Sequence, residues 1–442
     1  MTTEPAALID APPLGTTMRA LVKETAAPGA AVREVPIPEP GPTELLVRIQ
    51  AASVCGTDVH IERWDPWAQE NFGPPPMIFG HEMAGTVVAR GPGVTRVAVG
   101  ETVAAETHIV DWTCYQCRTG RAHVCQNMRI LGVHVPGSFA QYAIIPEVNA
   151  WVYEGLPPEI AALQEPLGNA VFAAFVEEVA GQTAVVTGCG PIGLMSIAVL
   201  KKAGARAVFA TDLNPERMAM AERMGADLVL HAHDDVVGRL RSETDGNGVD
   251  IVLEMSGASE ALHQGLAAVT NGGRVSLLGT HSIPATIDLS QEVIFKGIRI
   301  YGITGRRLWD TWYRTTALLE EGLDLSPIIT HRLPLADYAT AFDLVASGHA
   351  GKIVLLPEEA QATTRCGGTT QAGALRAAVA EGRLRREDIA DEDTSRRSTR
   401  LSRSRTGWPA REEPLPAAAR HERAAGRAHH DRGPAGHKPV VE

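Results

Sequence analysis

Cysteine is scarce in this chain: six in 442 residues, too few and too scattered for a disulfide framework. Cys55, Cys189 and Cys366 stand alone, while Cys114, Cys117 and Cys125 fall close together. That pattern reads as metal binding in a reducing compartment. The start, Met1-Thr-Thr-Glu-Pro, has no basic segment and no apolar core, which excludes a secretory signal. Long apolar runs are almost missing as well. One stretch, Thr183–Leu200, carries no charge and nearly reaches the length of a membrane span. It holds Gly188, Gly190, Pro191 and Gly193, so it is predicted as a buried strand, a tight turn and a buried helix. The expected location is the cytoplasm.

Positive charge is also in short supply. The net charge is −11, and it is unevenly spread: residues 360–442 hold 16 Lys+Arg against 11 Asp+Glu, the first 359 residues 25 against 41. An acidic body does not suggest nucleic acid or anionic membranes as partners; it suggests a soluble enzyme with small substrates.

A chain of 442 residues exceeds what one core supports, so two domains are expected. Residues 1–17 read as a flexible lead rich in Ala, Pro and Thr. From 18 to 165, short β-branched runs such as Glu44–Gln50 and Gly85–Ala89 alternate with Gly/Pro turns, which predicts an irregular, mostly-β domain. From 166 to 300, strands (Thr183–Thr187, Ala207–Asp212, Val249–Met255, Gly273–Leu278) alternate with helical patterns (Ile192–Ala203, Pro215–Met224). Such alternation implies βαβ units and a parallel sheet. Residues from about 301 to 357 end in a strand-like run, Gly351–Pro357, and are expected to complete the first domain. The segment 358–442 is built of Ala, Arg, Gly, Ser and acidic residues with Trp408 as its one aromatic, a composition that predicts disorder. Two readings of it stand: a basic tail that touches RNA or an acidic partner, or a non-functional, frame-shifted extension.

What is present in concentrated form is a set of metal donors. Cys55-Gly-Thr57-Asp-Val-His60 and Gly80-His81-Glu82 bring a thiolate and an imidazole from two nearby segments. A carboxylate, Glu82 beside the histidine or Glu165 in Gln164-Glu165-Pro166, completes the set. This is the ligand mixture of a catalytic zinc with one open position. Thr57 and His60 follow the cysteine closely, where a hydroxyl and an imidazole can carry a proton outward. A second cluster, Asp111, Cys114, Cys117 and Cys125, suits a closed structural zinc, with Asp111 as fourth ligand; His108, His123 or an empty site are the alternatives.

Gly188-x-Gly190-Pro-Ile192-Gly193 follows a predicted strand and opens a predicted helix, and Asp212 lies 19 residues beyond its last glycine. In that context the loop is a dinucleotide fingerprint. Asp212 would meet the ribose hydroxyls and repel a 2′-phosphate, which favours NAD over NADP; Arg217 pulls weakly the other way. Metal site and dinucleotide loop together imply zinc-assisted hydride transfer.

Residues 18–357 resemble the zinc-dependent medium-chain alcohol dehydrogenase family, on the Cys55–His60 and Gly80–Glu82 motifs. They are most similar to its threonine-oxidising branch, on Arg63-Trp64-Asp65-Pro-Trp67, Glu165–Ala170, Glu254–Gly257, Gly305-Arg306, Thr311-Trp312-Tyr313 and Gly322–Arg332. The resemblance implies an α/β chain: a GroES-like, mostly-β catalytic domain plus a Rossmann domain with a doubly wound parallel sheet, assembled as a homotetramer. By position it makes Cys55, His81 and Glu165 metal ligands with Glu82 beside them, and it puts His108 in the substrate pocket. It also implies oxidation of L-threonine by NAD to 2-amino-3-ketobutyrate, functionally coupled to the CoA ligase that consumes this product. Asp111 departs from the family, which usually has the first of four structural-zinc cysteines there. A polyol or 2,3-butanediol dehydrogenase, and a non-catalytic NAD-binding relative, are the alternatives.

Overall fold

A computed structural model describes residue 12 and residues 15–281 and 283–357. The expectations for the tail after 357, for Cys366, and for most of the lead therefore concern residues outside those described.

The first domain is built on a seven-stranded sheet. Its order runs Ala150–Val152, Thr102–Ala105, Glu82–Arg90, Glu44–Ser53, Lys352–Leu356, Ile329–Pro334, with Tyr142–Pro146 also pairing on Glu44–Ser53. The long central strand alternates Leu45, Val47 and Ile49 into a core with Phe79, Val87 and Phe139. The last strand, Lys352–Leu356, pairs antiparallel with the end of Glu44–Ser53, so the chain closes back onto the domain where it began. That return carries Lys352 to the heart of the molecule.

The second domain is a six-stranded parallel sheet in the order Leu228–His231, Ala207–Asp212, Thr183–Thr187, Val249–Glu254, Val269–Leu277, Arg299–Gly302. The chain starts in the middle, winds outward one way and then the other, and so leaves a crevice at the strands' carboxyl ends where the direction reverses. Thr187 is in register with Thr211 on one side and Glu254 on the other, which aligns the loops that follow. The uncharged stretch at Thr183–Leu200 is a strand, a turn and the helix Pro191–Lys202. Among the described residues no helix is long and apolar enough to cross a membrane. The strand expected at Gly273–Leu278 runs Val269–Leu277 instead: the sheet recruits Asn271 and two glycines that propensity alone would leave in a turn.

Between the two sheets lies the helix Gln164–Ala174, buried at every residue but Asn169. Its apolar residues share one core with Ala51 and Ala84 of the first sheet and Ala184 and Ile251 of the second. Small side chains on the first sheet permit that close approach. At the helix's carboxyl end, Arg274 Nη2 donates to the Ala174 carbonyl at 2.8 Å and Ser276 Oγ to Ala173 at 3.0 Å, satisfying carbonyls that the helix leaves open. Glu165 sits in the first turn of this helix, held rigidly between the domains.

Candidate metal and cofactor sites

Cys55 is the N-cap of the helix Gly56–Arg63, directly after the central strand. Its backbone N–H donates to Asp58 Oδ2 at 2.8 Å, and Thr57 Oγ1 lies 3.7 Å from its sulfur. Asp58 is fully buried, and its other oxygen stands 3.5 Å from His81 Nδ1. One carboxylate thus aligns both the cysteine turn and the histidine ring, the arrangement that fixes a ligating histidine's tautomer and leaves its far nitrogen for a metal. His81 Nδ1 has no hydrogen-bond partner closer than this. Donor atoms of Cys55, His81 and Glu82 all lie within 4.8 Å of one another. A thiolate, an imidazole and a carboxylate converging where His81 and Glu82 are buried and Cys55 is partly exposed fit zinc.

Glu82 is bound on its far side. It accepts from Lys352 Nζ at 2.5 Å and from the Ser53 hydroxyl. Burial raises the Glu82 pKa and Lys352 opposes that rise. Burial likewise works against the Lys352 charge, but the Glu82 carboxylate outweighs it and holds the ammonium form.

Glu165 does not join the Cys55–His81–Glu82 group. Its Oε1 accepts from Thr107 Oγ1 at 3.0 Å and from Arg306 Nη1 at 2.7 Å. Arg306, 1 % exposed, is the hub of a buried network. Its Nε donates to Glu106 Oε2 at 2.7 Å, its Nη2 donates to Glu106 Oε1 and to Thr107 Oγ1, and Trp312 Nε1 donates to Glu106 Oε2 at 2.6 Å. Burial pushes the Glu106 and Glu165 carboxyls up, yet the guanidinium holds both below the ordinary carboxylate value. His108 closes the network, with Nδ1 3.0 Å from Glu106 Oε1 and 3.2 Å from Arg306 Nη2.

His60 is half-exposed on the helix that begins with Cys55, its Nδ1 in contact with Asp65 Oδ2. Asp65 is itself the N-cap of the helix Pro66–Asn71. Both side chains are partly exposed, His60 at 53 % and Asp65 at 30 %.

Asp111, Cys114, Cys117 and Cys125 form a second donor group within the same 4.8 Å limit, without His108 or His123. The Asp111 Oδ1 accepts from the backbone N–H of Thr113 at 2.8 Å and of Cys114 at 2.9 Å. The sulfurs of Cys114 and Cys125 are 3.7 Å apart. Three thiols and a carboxylate at this spacing fit a closed zinc site. His123 packs edge-on against Phe172 instead, 5.4 Å between ring centres.

The glycine loop lies at the switch point of the second sheet. Gly188 takes φ +92°, and a Cβ on Gly193 would stand 2.0 Å from the Gly188 carbonyl oxygen. A Cβ on Gly190 meets no protein atom within 4 Å, so the protein itself does not require that glycine. Ile192 lies in the first turn of the helix beyond. Gly188, Gly190, Asp212, Arg217, Met255 and Gly348 line a cavity of about 540 Å³, a volume suited to a cofactor. Asp212 is held at its rim by N–H bonds from Cys189 (2.6 Å) and Asn214 (2.8 Å). Arg217 presents a buried Nε with no partner. Cys189 is buried, and burial with the Asp212 charge pushes its thiol up to about 12; it is a packing residue.

Sequence reasoning missed Asp58, Glu106 and Lys352, and gave no role to Arg306. Asp58 had a local signal, since a carboxylate three residues after an N-cap closes a capping box. The others pair across 141 to 270 residues, and no local pattern announces that.

A mostly-β domain with a converging Cys/His/carboxylate set, joined to a doubly wound sheet with a phosphate-type glycine loop, defines a metal-dependent oxidoreductase of the dinucleotide class. Residues 41–155 match the alcohol dehydrogenase GroES-like domain and residues 191–321 the zinc-binding dehydrogenase domain. The chain is 49 % identical over 346 residues to the L-threonine 3-dehydrogenase of Symbiobacterium thermophilum, covering 77 % of this chain and 98 % of that one. Among solved structures, a zinc-binding dehydrogenase from Sinorhizobium meliloti bound to NADP superposes with TM-score 0.72 at 29 % identity, over 77 % of this chain and all of that one. An alcohol dehydrogenase from Escherichia coli complexed with NADH gives 0.71 at 28 %, with the same coverage. The chain belongs to the zinc-dependent medium-chain alcohol dehydrogenase family.

Proposed function

We propose that this enzyme oxidises the 3-hydroxyl of L-threonine to 2-amino-3-ketobutyrate, with NAD as hydride acceptor. The observation that carries the reading is the 49 % identity to an L-threonine 3-dehydrogenase over 346 residues, 98 % of that enzyme's length.

Cys55, His81 and a carboxylate, Glu82 or Glu165, would hold zinc, whose Lewis acidity lowers the pKa of an alcohol in the site. The cavity over Gly188–Gly193 would hold NAD, which would supply the hydride acceptor; Asp212 would accept from its ribose hydroxyls, and the charge of Asp212 would disfavour a 2′-phosphate. The remaining work falls to side chains. Thr57, beside the Cys55 sulfur, accepts the substrate proton and passes it to His60, which releases it to solvent. Asp65, in contact with His60 Nδ1, steadies the ring while it does so. Asp58 and Lys352 keep His81 and Glu82 in place. His108, fixed between Glu106 and Arg306, borders the substrate end.

The same reading implies a homotetramer in the cytoplasm. Ile283, Leu289, Ile294 and Phe295 are exposed at 58–70 % on the stretch leading into Arg299–Gly302, a strand paired on one side only, and such a surface favours a second copy. A readily decomposing β-keto acid product requires a consuming enzyme, the CoA-dependent ligase.

The test is initial-rate NAD reduction with L-threonine, 2,3-butanediol and sorbitol at equal concentration, before and after chelation and zinc return. Threonine turnover lost with chelator and restored by zinc is the expected result. Turnover of the diols alone refutes the threonine assignment, and no turnover of any refutes the enzyme reading.

A further inference from the structure

We propose that the Asp111–Cys114–Cys117–Cys125 lobe is an exchangeable zinc clamp on the segment Gly305–Trp309, and that its loading fixes Arg306 at the substrate end of the site. The part concerning substrate rests on the threonine reading above; the part concerning zinc does not.

Every residue of Gly305–Trp309 is gripped by something else. Gly305 lies so close to His108 that a Cβ there would stand 2.5 Å from the ring. Arg306 enters the Glu106–Glu165 network. The Arg307 guanidinium lies 5.0 Å over the Phe172 ring. Leu308 packs into the apolar cluster of Val110, Cys114, Ala122 and Cys125, and Trp309 stacks on Trp151 at 6.2 Å and 17°. The lobe therefore reaches the segment at two places. Leu308 packs against the cluster that contains two of the donor cysteines, and Phe172 is shared between Arg307 and the lobe's His123.

The lobe has little regular structure. Its regular structure is a four-residue helix, Tyr115–Arg118, and a single 3-10 turn, Ala122–Val124. A cation that gathers Cys114, Cys117 and Cys125 also sets the wall against which Leu308 packs. Arg306 lies two residues before Leu308, so lobe shape and guanidinium position move together.

Asp111 makes that cation exchangeable. A carboxylate is a harder donor than the thiolates it accompanies, and soft thiolates are what select zinc. Both Asp111 oxygens are already occupied, Oδ1 by two backbone N–H groups and Oδ2 by the Asn127 amide. The carboxylate is satisfied without metal and gains less from binding it than a fourth thiolate would. The Cys55–His81–Glu82 site is less open to exchange, since His81 and Glu82 are buried there, whereas Asp111 and Cys117 are partly exposed and Trp112, Thr113 and Tyr115 around them are exposed.

The experiment follows zinc release from the full-length, zinc-loaded enzyme into a chromophoric chelator. Release in two phases is expected, and Asp111→Cys abolishes the fast one. Asn127→Ala frees Asp111 Oδ2 from its competing donor and slows that phase about 10-fold or more. Leu308→Ala keeps both zinc ions and both phases but raises KM for L-threonine about 5-fold or more with kcat held. Single-phase release, or Asp111→Cys releasing as fast as the parent, overturns the exchangeable site. An unchanged KM in Leu308→Ala, or a fall in kcat alone, overturns the clamp. Should threonine not be turned over at all, the release arms still decide the metal claim.

Discussion

Replacing Arg306 with Met tests the buried charge network most directly. The guanidinium neutralises two carboxylates, Glu106 (1 % exposed) and Glu165 (6 % exposed), and holds both below the ordinary carboxylate pKa. Methionine fills much of the volume but leaves two acids facing each other in a dry site, a loss of about 3–5 kcal/mol by analogy with buried pairs deprived of one partner. Glu106→Gln is milder: Arg306 keeps Glu165, and the change weakens charge-assisted hydrogen bonds worth roughly 1.5–3 kcal/mol. The sign of the pH dependence separates these cases. In the parent, depressed carboxyl pKa values contribute stability that is present above the unfolded value of 4.5 and lost as pH falls through the folded one. In Arg306→Met both acids titrate above that value. The folded variant then binds extra protons between the two, and its stability falls as pH rises through that window. Urea unfolding at pH 5 and pH 7.5, followed by tryptophan emission, reads this. The deficit of Arg306→Met should be larger at the higher pH and exceed that of Glu106→Gln there. A deficit independent of pH, or one smaller than that of Glu106→Gln, would refute the assignment of Arg306 as the shared counter-charge.

Three further perturbations have defined outcomes. Asp58→Asn weakens the aligning contact on His81 and should lower zinc affinity at the Cys55 site about 10- to 100-fold; competition with a fluorescent zinc indicator measures it, and unchanged affinity sinks the role. Thr57→Val removes the hydroxyl 3.7 Å from the Cys55 sulfur and should cut kcat about 100-fold or more with the thermal midpoint unchanged. Retained turnover in that variant would place the proton path elsewhere. The loop glycines divide by cause: Gly193→Ala drives a methyl against the Gly188 carbonyl and lowers the melting temperature, whereas Gly190→Ala meets no protein atom and should spare stability while weakening NADH binding. Equal melting losses in the two would remove the argument that Gly190 serves the cofactor.

The parts of this molecule that were legible in its sequence are those whose chemistry is local. Gly188–Gly193 between an apolar strand and an apolar helix reads correctly because close backbone approach and burial are written within 18 residues, Thr183–Leu200. Cys55, Thr57 and His60 share one helix turn or the next, so their grouping is visible as spacing. What stays hidden is the chemistry made by closure of the chain. Lys352 reaches Glu82 across 270 residues because the final strand returns beside Ser53. Arg306 reaches Glu106 across 200 because the segment after the sixth strand of the second domain doubles back onto the first. In each case a charge that looks like an ordinary surface residue in the sequence is almost wholly buried and paired. Periodicity cannot flag such residues: a lone lysine before a β-branched run, or an arginine after a glycine, has the same local pattern whether it faces water or a carboxylate. The choice between Glu82 and Glu165 has this same origin. Position in the sequence offers both acids to the metal, but their counter-charges differ, and it is the distant partners, Lys352 for one and Arg306 for the other, that set where each carboxylate points.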